Sequence, residues 1–365
     1  MKRLFLASLV IILIAGLILG GCAEPAPEPA PAPAPAPSPS PAPAPEKTLE
    51  LSFANWDPPE CAPSKIMMEP WMQEINERTN GRVKIIMYYA EALCKAPDDY
   101  DALLSGIANI AKIEPSMTPG VFPLTEFVTL PMLWPNSEVA GITWWEMTEK
   151  YLMDTEYKDM KVLWVFPTGL AQIVNNVKQV RTPEDIDGMK FMTNSPLTIR
   201  MLEDLGASGI SMAPPDSYNA IERGMVDGTL SEWEGCWIWH QNEVTKYRTG
   251  GLEVTLNCNI VGMNWDTWNS LPADIQQVFD ETGGLKMAQF AGKMFDEECE
   301  TCLAKIIDYD QKAGNPEIHW LSEAEKASWV NAALPIHDEW INEKEAEGLP
   351  AQALMDDVYA LIQKY

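Results

Sequence analysis

From Ala23 to Pro45 proline recurs at nearly every second position, with mostly alanine and two serines, Ser38 and Ser40, between the prolines. Proline has no N–H to donate and alanine has little to bury, so this stretch can support neither a sheet ladder nor a core. It reads as an extended polyproline-type spacer of about 3.1 Å per residue. Whatever folds in this chain must therefore begin after Pro45.

The residues before the spacer read as an export signal. Lys2 and Arg3 precede an apolar run from Leu4 to Leu19, which closes on Leu19-Gly20-Gly21-Cys22. The run falls short of the roughly 20 apolar residues that cross a bilayer as a helix, which argues against a transmembrane anchor. The small pair Gly20-Gly21 opens the backbone to a peptidase, and the Cys22 thiol can take a lipid. Residues 1–21 are thus expected to be a lipoprotein signal peptide, and residues 22–47 a lipidated cysteine with its linker. The folded part would sit outside the cytoplasm, anchored to the membrane through its lipid.

Composition narrows the function. The chain carries 26 lysines and arginines against 53 aspartates and glutamates, a formal charge of −27, which excludes nucleic acid as a partner. Beyond Cys22 there are six cysteines, Cys61, Cys94, Cys236, Cys258, Cys299 and Cys302. Disulfides are open to a chain in an oxidising compartment, but the sequence fixes no pairing. Cys299 and Cys302 have redox spacing, yet they fall inside a helical stretch with no strand before it, so the pair reads as structural. His240, His319 and His337 are not at metal-ligand spacing, and no GxSxG, P-loop or GxGxxG occurs. No metal, cofactor or catalytic residue is expected.

After the spacer, strand and helix patterns alternate. Leu49 to Ala54 alternates as a strand, and Met68, Trp71, Met72 and Ile75 recur at helical spacing until Asn80-Gly81 stops the helix. Arg82 to Tyr89 reads as a strand, followed by a helix with Tyr100, Leu103, Leu104 and Ile107 on one face and a strand over Asn109 to Ile113. Further strands are expected at Lys161 to Phe166, Met189 to Thr193 and Glu253 to Met263. Helices are expected over Pro196 to Leu205, from a cap at Asp216 to Gly224, and through most of the chain beyond Pro272. Such alternation predicts an α/β fold with helices covering a sheet.

Several ordered motifs carry a resemblance. Residues 181–190 read RTPEDIDGMK, 201–206 MLEDLG, 218–228 YNAIERGMVDG and 263–272 MNWDTWNSLP, with Lys246-Tyr247 between the last two. From Leu51 onward the chain resembles the solute receptors of tripartite ATP-independent periplasmic (TRAP) transporters, of the DctP type. The resemblance implies a two-lobed periplasmic-binding-protein fold with a ligand cleft between the lobes and a long connecting helix. Residues 48–170, with a return segment at about 258–300, would form lobe I. Residues 171–257, with C-terminal helices at about 301–365, would form lobe II. The implied function is capture of a small organic solute and its delivery to the transporter's membrane subunits. A lipid-anchored enzyme, with His240 the histidine nearest the site loop, or a signalling receptor are the alternatives.

The resemblance also exposes a departure. The family usually places an arginine two residues after the lysine of the GLK segment, where it clamps a ligand carboxylate; here that residue is Met192. A second arginine, about 20 residues earlier, falls near Gln172 and is missing too. Methionine offers no donors in place of the guanidinium fork, so a simple carboxylate is not the expected ligand unless Lys112, Lys190 or Arg200 replaces the clamp. The segment after Gly228 instead sets Glu232, Trp233 and Glu234 beside Trp237 and Trp239, and Trp56 follows the first strand. Acids beside aromatic rings suit a neutral or cationic solute. Trp56, Glu114, Gln172, Met192, Asn194, Pro215, Glu232 and Trp233 are the expected ligand-binding residues.

Overall fold

The computed structural model describes residues 48–365; the signal segment, Cys22 and the Ala/Pro spacer lie outside the described residues. In chain order the first half runs β1 (Leu49–Ala54), α1 (Glu69–Arg78), β2 (Val83–Tyr88), α2 (Asp99–Leu104), β3 (Ile110–Ile113), α3 (Ser137–Met147) and β4 (Lys161–Pro167). There follow β5 (Gln172–Asn175), β6 (Lys190–Met192), α4 (Pro196–Asp204), β7 (Ser208–Ile210), α5 (Ser217–Glu222), β8 (Gly228–Ser231), α6 (Trp233–Ile238), α7 (Gln241–Val244) and β9 (Tyr247–Gly250). The last part holds β10 (Cys258–Met263), α8 (Trp265–Ser270), α9 (Ala273–Thr282), α10 (Gly284–Ala313), β11 (His319–Trp320), α11 (Glu323–Ala346) and α12 (Ala351–Lys364).

These strands form two sheets. The first has the order β2-β1-β3-β10-β4, with β1 parallel to β2 and β3, and β10 antiparallel to both its neighbours. The second has the order β11-β9-β5-β8-β6-β7, in which β5 is antiparallel to β8 and β9. Their near-continuous apolar strands, such as Val162 to Phe166, are buried as strands covered on both faces should be. The fold is α/β and two-lobed.

The chain passes between the sheets at 168–171 and 251–257. The two crossings pair: Thr168 N–H donates to Asn257 O (2.9 Å), and Val254 N–H to Ala171 O (2.9 Å). Two features of the sequence reading change here. The stretch from Glu253 to Asn257 belongs to this crossing, and the strand starts only at Cys258. Helix α2 ends at Leu104, leaving Leu104 and Ile107 exposed, because Gly106 takes a left-handed φ of 75° and turns the chain. Asp216 precedes α5 without a side-chain cap.

Helix α10, 30 residues and about 45 Å at 1.5 Å per residue, packs on α3 and β4 of the first lobe and on α6 of the second. Its Asp310 meets the buried Arg248 of β9 at 3.1 Å. Its Asp296 accepts the N–H groups of Ser137 (3.0 Å) and Glu138 (3.1 Å), satisfying donors that the start of α3 leaves open. Among the C-terminal helices, α11 packs on α4, whereas α12 packs on α3. The six cysteines of the described residues are all free, and no helix among those residues is long and apolar enough to cross a membrane.

The approach of α10 to α3 depends on glycine. A Cβ on Gly292 would lie 2.2 Å from Ser137 O and 2.6 Å from Glu138 Cα, backbone atoms that cannot rotate away. Gly292→Ala should lower unfolding free energy in urea by about 1–3 kcal/mol, the usual cost of overpacking. Lys293→Ala, on the exposed side of the same turn, should stay within about 0.5 kcal/mol of the parent.

Candidate functional site

The carboxyl ends of β1, β3, β4, β6 and β8 converge on one cavity, which is where open α/β sheets hold ligands. After β1, Asn55 Oδ1 accepts the Asp57 N–H (3.1 Å) and its amide donates to Ser64 Oγ (3.0 Å), a local turn that sets Trp56 and Asp57 at the cavity wall. In β3 alternate residues share a face, so Lys112 points with Ile110 and, just past the strand, Glu114. The Lys112 ammonium is ion-paired with Asp57 and stands 3.4 Å from the centre of the Trp56 ring.

From the other lobe, β6 delivers Met192, Thr193 and Asn194, and β8 delivers Thr229 to Ser231 followed by Glu232. Gly228 is required at the start of β8, since a Cβ there would lie 2.2 Å from Val174 O. Helix α6 then carries Glu234 in its first turn and ends at Trp239. Three contacts join the lobes across the cavity. Ala62 N–H donates to Glu234 Oε1 (3.3 Å), Asn194 Nδ2 donates to Glu114 Oε1 (3.2 Å), and Trp56 stacks on Trp239 with centroids 6.4 Å apart. The space left is about 60 Å³. By the same measure a water needs roughly 10–15 Å³, so the closed cavity suits a compact solute.

Of the residues expected to bind ligand, Trp56, Met192, Asn194 and Glu232 line this cavity. Glu114 is just behind the wall, held by Asn194 and by Ser116 Oγ (2.8 Å). Pro215 lines an adjoining outer groove with His240 and Trp239, while its neighbour Pro214 reaches the inner cavity. Gln172 lies elsewhere: its Oε1 accepts Leu252 N–H (3.0 Å), so it fastens the crossings. Trp233 is buried with Val174, Cys236, Cys302 and Ile306, because as the first residue of α6 it points into the helix packing. Cys22 is outside the described residues. Among the three candidate cations, Lys112 is at the cavity, Lys190 is exposed, and Arg200 pairs with Glu343 on the surface (3.0 Å).

The sequence reading missed Asp57, Gln241, Asn257 and Asn259, all of which line the cavity. Asp57 had a signal, as a charged residue directly after a buried strand. The two asparagines come from the crossing and the start of β10, where nothing local sets them apart. No trio of His, Cys, Asp or Glu side chains among the described residues is arranged to hold a metal.

The cavity is unusual in its charge. Asp57, Glu114, Glu232 and Glu234 are 4%, 2%, 8% and 6% exposed, against one cation, Lys112, at 2%. Burial, with the charges of Glu114 and Asp57 acting in the same direction, pushes the Glu232 carboxyl up to about 7. Burial likewise pushes Glu234 up to about 8, with Glu232 adding to the rise. Glu114 is raised by burial, and Asp99, which accepts the Cys94 thiol near Lys112, is pushed by burial up to about 7.

Two outcomes follow. Lys112→Met leaves Asp57 buried without its partner and should cost about 3–5 kcal/mol in denaturant unfolding, whereas Lys112→Met/Asp57→Asn should regain much of it. Carboxyls with raised folded pKa values hold protons that the unfolded chain has already lost, so their contribution is present below the unfolded range, near 4, and disappears as pH rises through about 7–8. The melting temperature of the ligand-free protein should therefore fall by several degrees between about pH 5.5 and 8.5, and Glu234→Gln should flatten that fall.

The geometry has clear relatives. The model of the bacterial extracellular solute-binding proteins, family 7 (DctP), matches residues 56–344. The C4-dicarboxylate-binding periplasmic protein DctP of Rhodobacter capsulatus is 27% identical over 285 residues, covering 76% of this chain and 83% of that one. A solved TRAP solute binding protein from a marine metagenome, specific for aromatic acid ligands and carrying 3-hydroxybenzoate, is 27% identical, with a TM-score of 0.81 over 87% of this chain and 99% of its own. The open complex of a TRAP periplasmic solute binding protein from Desulfovibrio salexigens is 30% identical, with a TM-score of 0.75 over 87% and 96% of the two chains. A family match spanning both lobes and the cavity between them means that this chain belongs to the family 7 extracellular solute-binding proteins, the receptors of TRAP transporters.

Proposed function

We propose that this receptor, tethered by a lipid on Cys22, captures a small organic solute with a positively charged, donor-rich head and passes it unaltered to the membrane subunits. Lobe I would comprise residues 48–170 and the return at about 258–300, and lobe II most of the remainder, hinging at the paired crossings. The observation that carries the ligand class is the surplus of buried acceptors in the cavity. Asp57, Glu232 and Glu234 at the wall, with Glu114 just behind it, are set against one ammonium that is already paired with Asp57. Gln241 Oε1 and Asn259 Oδ1 are further acceptors, buried without a hydrogen-bond partner. A ligand that supplies donors and positive charge would satisfy the acceptors left at the wall, and Trp239 offers a ring for a cation, Trp56 being already engaged by Lys112 and Trp239.

A second reading is an organic acid held by Lys112. It is favoured by the buried Trp56 Nε1, a donor with no partner, and by the acid ligands named for the relatives. In the first reading the acids stay charged against the ligand; in the second they carry protons.

Thermal-shift and calorimetric titration with propylamine, ethanolamine, choline, succinate and benzoate separates the two. An amine should stabilise the protein while the two acids leave it unchanged. Glu232→Gln should weaken amine binding about 10- to 100-fold, the value of a charged hydrogen bond of roughly 1.5–3 kcal/mol. Binding of succinate or benzoate, with no response to any amine, would establish the second reading in its place.

A further inference from the structure

We infer that the empty cavity stores a proton on the Glu232/Glu234 pair and releases it when the ligand's positive charge arrives, so that capture is an exchange of one cation for another. The inference rests on the cationic reading above. It begins from charge balance. With every carboxyl ionised, Asp57, Glu114, Glu232 and Glu234 against Lys112 would leave a large negative excess on side chains almost wholly buried. A buried charge without a partner is costly enough that the group takes up a proton instead.

The neighbouring groups decide where that proton sits. On the side of β1 and β3, Asp57 is ion-paired with Lys112, and Glu114 accepts hydrogen bonds from Ser116 and Asn194. Behind Lys112, Asp99 holds the Cys94 thiol. Cys61, beside Asp57, and Cys299, on α10 beside Glu232, are thiols pushed up by burial, and both stay neutral. Glu232 and Glu234 have the weakest compensation of the set: the one cation near them is already engaged, and Glu234 accepts a single backbone N–H, from Ala62. They are also two residues apart at the start of α6, so ionising one raises the other. The stored proton belongs to this pair.

An arriving ammonium changes the balance. It supplies the positive charge that the proton supplied before, and the carboxyl gives its proton to solvent. The free receptor then binds more protons than the complex, so affinity must rise with pH. The same proton answers to ligand sign: an organic acid would need more protons in the cavity, and its affinity would fall as pH rises.

The experiment has two arms. Infrared spectra of the ligand-free protein at pH 7 should contain a protonated-carboxyl band that Glu232→Gln/Glu234→Gln diminishes, and the component so lost should persist in Asp99→Asn. Absence of that difference overturns the stored proton whatever the ligand proves to be. Calorimetry with the tightest-binding amine of the panel, in buffers of different ionisation enthalpy, should show about one proton released per ligand near pH 7. Affinity should rise towards tenfold per pH unit below neutrality and level off above about pH 8. An amine that binds with no proton release overturns the exchange while the ligand class stands. Failure of every amine, with proton uptake on binding succinate or benzoate, overturns both the exchange and the cationic reading, and leaves the infrared result to decide the stored proton alone.

Discussion

A single ammonium organises the cleft. Lys112 comes from the middle of a buried strand, where a charge is tolerated only with a partner, and it has two: the Asp57 carboxylate and the face of Trp56. That requirement fixes the segment after β1, because Asp57 must reach Lys112 and the Asn55 turn holds it there. The same segment carries Trp56 to Trp239 and leads into Ala62, whose N–H reaches Glu234. The interaction that neutralises one buried charge therefore also positions two of the three contacts described across the cavity.

Those contacts are few and individually weak. Two are single hydrogen bonds, each worth about 0.5–3 kcal/mol depending on the charge of the acceptor, and the third is a ring stack of about 0.5–1.5 kcal/mol. A closed state held by so little is one that a ligand's differential affinity can make or lose. By contrast, the parts that must not move are tied with backbone pairing and buried ionic contacts: the two crossings pair with each other, and α10 reaches both lobes through α3, α6 and the Arg248–Asp310 contact. Strength is concentrated at the crossings and along the long helix, and weakness at the mouth of the cavity.

Much of this was legible beforehand where local pattern and tertiary demand agree. Four strands of the first sheet stand where their sequence pattern put them, β10 starting only at Cys258, and Asn80-Gly81 follows the first helix with φ values of 52° and 77°. Lys112 and Glu114 were visible as charges in an apolar strand, and Met192 as a donor lost from a motif. Gln172 and Trp233 fall outside the cavity lining for a common reason. Each sits in a segment that borders the cleft, but the direction of a side chain depends on the pairing partner, which for Gln172 is the second crossing some 80 residues away. Asn257 and Asn259 were invisible because their place is set by antiparallel entry into β10, a property of topology that no local pattern records.

Under the proposed cationic reading, the Met192 position is where this fold would change its ligand class. Met192 does not merely lack a guanidinium; it packs in an apolar cluster with Ala220, Ile221 and Val226, so the wall that would carry positive charge is dry and uncharged. On the neighbouring strand of the same sheet, the segment after β8 brings Glu232 and Glu234, which add negative charge. Removal of a cation and addition of anions act in the same direction, and the second step matters more for selectivity. A cavity that only lacked its arginine would bind carboxylates weakly, whereas one that meets them with ionised glutamates repels them, and discrimination built on repulsion is harder to overcome than a missing contact. That repulsion operates only while the glutamates are ionised. If the receptor takes a cation as proposed, the protonation state of the ligand-free cleft is part of its specificity, and the acidity of the surroundings would set how strictly it chooses.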